Sequence, residues 1–102
     1  MKRRRLFLRY IPPGQRKHTR IPISRRQLEL VAALRDAPAS RMELLKRERP
    51  RLALNAPATV AGLRAKGIDV SAEWQRAEDI DGSYSRFVRY ALQGRVLGIE
   101  GA

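Results

Sequence analysis

The chain has no cysteine and a single histidine, His18. The first absence excludes disulfides and thiolate metal sites, and it permits a reducing compartment such as the cytoplasm. The second removes the commonest general base, because His18 lies among Arg16, Lys17 and Arg20 with no carboxylate nearby in sequence to orient it. Long apolar runs are also missing. Met1 to Ile11 has a basic start and an apolar stretch, but Arg9 interrupts it and Pro12-Pro13-Gly14 ends it, so neither a secretion signal nor a membrane span is expected. Acidic residues are absent from the whole segment before Gln27.

That last absence is the most informative. Ten of the 22 Lys and Arg precede Gln27, so the net charge of +12 divides into +10 for the segment and +2 for everything after it. A coding bias explains Arg in place of Lys but not the missing acids. Such segregation is the footprint of a polyanion binder, since each phosphate met by a cation releases condensed counterions. Duplex DNA is the first partner to consider.

At 102 residues the chain is expected to be one small domain. We expect a basic arm over 1–23, a folded body over 24–92 and a flexible tail over 93–102. In the arm, Leu6 to Ile11 suits a short strand, and Pro12 to Arg20, with two prolines, a glycine, His18 and three cations, suits extended chain. Ser24 with Gln27 and Ser40 with Glu43 each read as a capping box, opening helices that run to about Asp36 and Arg49. Asn55 suits the cap of a third helix, with Pro57 in its first turn and Gly67 at its end. From Ile68 the period falls to two, and Asp81-Gly82 turns the chain into a returning segment with Tyr84, Val88, Tyr90 and Leu92 on one side. The same alternation predicts that Trp74, Tyr84 and Tyr90 are core residues. The tail glycines predict fraying, with Val96, Leu97 and Ile99 as a possible pairing strand for a second copy, and hence a homodimer.

Three short helices followed by a hairpin is the order of a winged helix-turn-helix, an α+β fold. The residues Gln27, Ala58, Val60, Leu63, Arg64, Gly67 and Ile68, followed by Phe87, Tyr90 and Leu92, resemble the pattern of the small winged helix-turn-helix proteins of bacteriophages and prophages. The resemblance spans Ser24 to Leu92 and implies a DNA-binding transcription regulator or recombination accessory factor, near the nucleoid in the cytoplasm of a bacterial host. Thr59 stands where the family often has Arg, and Gly62 where an acid is usual.

On this basis the arm residues Arg3, Arg4, Arg5, Arg16, Lys17 and Arg20 are candidate phosphate contacts, as are Arg49 and Arg51 before helix three and Arg86 and Arg89 at the base of the hairpin. Asn55 and Thr59 are candidate base readers, and Arg64 and Lys66 stand on the same helix for base or phosphate. Glu78, Asp79 and Asp81 form an acidic hairpin tip that should point away from the backbone. Asp79-Ile80-Asp81-Gly82 has the start of a calcium loop but not its later ligands. No nucleophile with its base, paired carboxylates or glycine-rich phosphate loop can be assembled, so neither an enzyme nor a cofactor is expected. The rival readings are a protein-interaction module docking on a host nucleic-acid enzyme and a structured-RNA binder.

Overall fold

In the computed structural model, which describes residues 5–101, the basic segment forms part of a sheet. Leu6, Leu8 and Tyr10 alternate with Phe7 and Arg9, giving strand β1 (Leu6–Ile11), and Ile21 and Ile23 alternate with Arg20 and Pro22 in β2 (Thr19–Ile23). Their antiparallel register sets Leu6 against Ile23 and Leu8 against Ile21, so the apolar residues share one face. Leu8 and Tyr10 are wholly buried, and Ile21 and Ile23 nearly so.

The opposite face carries the charge. A third strand, Arg95–Glu100, pairs with the other edge of β1 and brings Glu100 beside Phe7. Gly94, at a φ of 78°, makes the tight turn into that strand, where an added Cβ would collide with the Ile11 carbonyl oxygen and the Tyr10 hydroxyl.

Next come α1 (Arg25–Asp36), the two-residue strand β3 (Ala39–Ser40), α2 (Arg41–Lys46) and α3 (Pro50–Ala65). The β4 (Val70–Glu78) and β5 (Tyr84–Leu92) hairpin follows, and Arg95–Glu100 is then β6. The sheet orders are β2-β1-β6 and β3-β5-β4, with every pairing antiparallel. The fold is therefore α+β with three helices and six strands in two sheets, which corrects the expected winged helix-turn-helix of three helices followed by a hairpin. Strands precede, interrupt and follow the helices. Charge and a proline hid the second strand, Thr19–Ile23, and glycine content hid the pairing of Arg95–Glu100 with β1.

Helices one and two open as their sequences dictate. Ser24 accepts from the Gln27 N–H while the Gln27 side chain accepts from the Ser24 N–H, and Ser40 and Glu43 repeat the exchange. Leu30, Val31 and Leu34 of α1 face the core. The third helix begins five residues before Asn55, at Pro50, whose fixed φ and missing N–H suit a first helical position. Pro57 consequently lies inside the helix rather than in its first turn. It cannot donate to the Ala53 carbonyl one turn back. The Arg41 Nε donates to that carbonyl instead, at 2.9 Å.

Tyr10 ties the two sheets together: its hydroxyl donates to the Gln93 carbonyl at 2.6 Å and accepts from the Asp69 N–H at 3.1 Å. Burial pushes its pKa up, outweighing the lowering effect of the Asp69 backbone hydrogen bond. Leu44, Ala56, Val60, Leu63 and Ile68 complete the core between the sheets and helices. The β4–β5 hairpin runs out beyond this core, and residues 76–86 are all exposed. Its projection fits a radius of gyration of 15.1 Å, compared with about 13 Å for a compact chain of this length.

Candidate nucleic-acid interface

Among the described residues only three cations lie within ion-pairing distance of an acid. Arg9 and Arg20 share Glu100, at 3.8 and 2.6 Å, and Arg89 meets Glu43 at 2.9 Å. The Arg20 guanidinium also lies 3.6 Å over the Phe7 ring. Arg20 and Arg89 are thus each paired with a carboxylate of the chain, unlike the free cations that the sequence leads one to expect. Glu43 experiences opposing effects: desolvation pushes its carboxyl up, but hydrogen bonds from Arg89 and Ser40 and the Arg89 charge prevail and hold it below the usual range.

Other predicted site residues are also committed. Arg64 Nε donates to the Val70 carbonyl at 2.9 Å, fastening the end of α3 to the start of β4. Lys66 Nζ donates to Gln27 Oε1 at 2.7 Å, joining α3 to α1. Asn55 donates back to the Arg51 carbonyl at 3.0 Å within the helix, so it is not the N-cap. Thr59 is only 6% exposed and belongs to the core, which removes it as a base reader.

Arg5, Arg16, Lys17, Arg49, Arg51 and Arg86 remain exposed. Arg16 and Lys17 lie in the β1–β2 connection, and Arg49 and Arg51 flank the first residue of α3. Arg86 stands out on the hairpin, opposite Arg76, whose guanidinium lies 4.0 Å from the Tyr84 ring centre. These positions are spread over several elements and do not converge on one cleft. Arg3 and Arg4 lie outside the described residues.

Sequence reasoning missed two kinds of cation. Arg25 and Arg26 occupy the first turn of α1, where no acid offsets them, and both are exposed. Arg47 caps the end of α1 by donating to the Ala33, Ala37 and Pro38 carbonyls at 3.2–3.5 Å. The first pair was visible as the two cations directly after the Ser24 cap. The second needed the tertiary arrangement.

The outward face of α3 is plain. Its exposed positions include Arg51, Leu54, Pro57, Ala58, Ala61, Arg64 and Ala65, and its one amide, the half-buried Asn55, is turned back on the Arg51 carbonyl rather than held out for bidentate contact with a base edge. Beside it, a groove of about 750 Å³ opens between α2, α3 and the β4–β5 hairpin. Met42, Leu45, Leu54, Trp74 and Phe87 contribute to its apolar walls, and among the described residues Arg41 and Arg86 are its only charged lining and no acid lines it. Trp74 is 72% exposed and Tyr84 58%, correcting their expected place in the core, whereas Tyr90 is buried. The alternation was read correctly, but the helices end before the strands do.

At the hairpin tip, the Ser83 and Ser85 hydroxyls donate to Asp79, and the Ser83 hydroxyl and N–H both donate to Asp81, holding the Asp81 carboxyl below its usual pKa. The described residues contain no cluster of three metal-ligating side chains, and none of their helices is long and apolar enough to cross a membrane. Comparison with protein-family models, curated proteins and solved structures gives no match, so the phage-type resemblance rests on its residues alone.

Proposed function

We propose that this chain is a DNA-binding protein that holds duplex DNA mainly through its phosphates. The observation that carries this reading is the unneutralised charge: most cations of the described residues have no acid within ion-pairing distance, in a chain of net charge +12. Solvated cations without partners retain their full attraction for a polyanion. Arg16 and Lys17 in the first connection, Arg25 and Arg26 at the start of α1, and Arg49 and Arg51 at the start of α3 are the contacts we favour. The plain outer face of α3 argues for binding without a base code. An architectural or recombination accessory role in a bacterial or phage setting suits this chemistry better than site-specific transcriptional control. Such a role places the protein beside the nucleoid, and it requires neither catalysis nor a cofactor.

The test is the salt dependence of binding to a fluorescent duplex of random sequence. About six to eight phosphate contacts give a slope of log K against log salt of roughly −5 to −7. Replacing Arg16 and Lys17 together by Glu should flatten it by about 2 and weaken binding equally on all sequences. Selection from random duplexes should yield no enriched motif. Failure to bind either duplex or single strands at low ionic strength defeats the proposal; preference for structured RNA transfers it to the RNA reading.

A further inference from the structure

We propose that two copies of the chain pair by reciprocal exchange, the acidic hairpin tip of each seating in the apolar groove of the other. Six of the large apolar residues left exposed fall into two groups: Met42, Leu45, Leu54 and Trp74 line the groove, while Ile80 and Tyr84 belong to the end of the hairpin. A soluble surface seldom gathers so much uncovered apolar area without something to cover it. The groove's charged lining residues are both arginines, and the tip offers Glu78, Asp79 and Asp81 around Ile80, whose exposure is 109%. Each surface supplies what the other lacks in both shape and sign.

The tip cannot fill the groove of its own chain. The β4–β5 ladder is unbroken from Val70–Leu92 to Glu78–Tyr84, which carries the tip about 15 Å or more beyond Trp74 at strand spacing. A second copy can present its tip there, and a two-fold axis lets both contacts form together. Contact between the two grooves alone would set Arg41 and Arg86 against their own kind, so charge selects the tip as occupant. Hydrogen bonds from Ser83 and Ser85 already fix the Asp79 and Asp81 carboxylates of the tip. Little order is therefore lost on docking.

Trp74 is the only tryptophan and lies in the groove, so its emission reports on occupancy. Sedimentation of the full chain in about 0.3 M salt, which screens the net repulsion between copies, should show a concentration-dependent dimer with a blue shift of that emission. Ile80→Asp should remain monomeric with red-shifted emission; Ile80 packs on nothing in its own chain, so the fold should survive, as circular dichroism will verify. Arg86→Glu and Glu78→Arg should each weaken self-association roughly tenfold or more, and an equal mixture of the two variants should recover it, because only the mixed pair matches both contacts. A monomer at every concentration overturns the proposal, as does a dimer indifferent to Ile80→Asp and to the charge exchange, which would point to the β6 edge. A blue shift with an acidic amphipathic peptide but none with a second copy also overturns it and assigns the groove to a foreign helix.

Discussion

The hydrogen bond from Arg41 to Ala53 gives a sharp test of how α3 tolerates an internal proline. Pro57 removes the N–H that would meet the Ala53 carbonyl, and Ala53 is only 7% exposed, so water is a poor substitute. Arg41 Nε occupies the position at 2.9 Å. Arg41→Met keeps the apolar stem but orphans the carbonyl, at a cost of about 1.5–3 kcal/mol for a lost charged donor. Pro57→Ala restores the backbone donor. An interior proline costs about 3 kcal/mol relative to alanine, but Arg41 already offsets part of that, so we expect a gain of about 1–2 kcal/mol. In the Pro57→Ala background the carbonyl no longer depends on Arg41, and Arg41→Met should then cost only about 0.5 kcal/mol. The cycle therefore predicts a coupling of about 1–2.5 kcal/mol, measured from urea unfolding of the four proteins by far-ultraviolet circular dichroism at constant m value. Additivity within about 0.5 kcal/mol would refute the view that the arginine replaces the missing amide.

Tyr10→Phe should destabilise by about 1–3 kcal/mol, because it deprives the Gln93 carbonyl and the Asp69 N–H of their shared partner. Burial holds the Tyr10 pKa above 10.0, so its contribution is full below that pH and falls as pH rises through the folded value; the deficit of Tyr10→Phe should narrow in the same window. At the acid end, Glu43 has a folded pKa held below 4.5, so its stabilisation is present above that pH and is lost as pH falls through the folded value. Glu43→Gln should flatten the acid limb of a urea-midpoint series, and an unchanged limb would exclude the Arg89 pair as its cause. Glu48 sits at a φ of 60° in the turn between α2 and α3, and Glu48→Gly should raise stability by about 1 kcal/mol, seen as a higher melting temperature. Arg25→Glu, which places an acid in the first turn of α1, should stabilise by about 0.3–1 kcal/mol while weakening DNA binding, so the two assays should move in opposite directions.

The candidate site was legible only in part. Net charge identified the partner class we propose, but charge counts do not separate free cations from those engaged at carbonyls and carboxylates. Arg20, Lys66 and Arg89 all acquire partners distant in sequence, and Arg64 meets a carbonyl beyond the turn that ends its helix. Arg41 and Arg47 satisfy backbone oxygens that became orphans only when a proline entered one helix and another helix ended. Thr59 is a candidate base reader only on a helix beginning at Asn55; on the helix that begins at Pro50 it continues the buried stripe of Leu52, Ala56 and Leu63.

Local chemistry alone determined the two capped helices, the strand at Leu6–Ile11 and the alternation of the β4–β5 hairpin, because caps and side-chain period involve neighbours within a few residues. The sequence also determined the excess of positive charge. Tertiary structure alone decided that the last strand pairs with the first, that Tyr10 closes the space between the sheets, and that Trp74 projects past the helices. Each of those outcomes depends on partners tens of residues away. A pattern of alternating residues specifies that one face seeks burial, and only the assembled chain determines whether there is anything there to cover it.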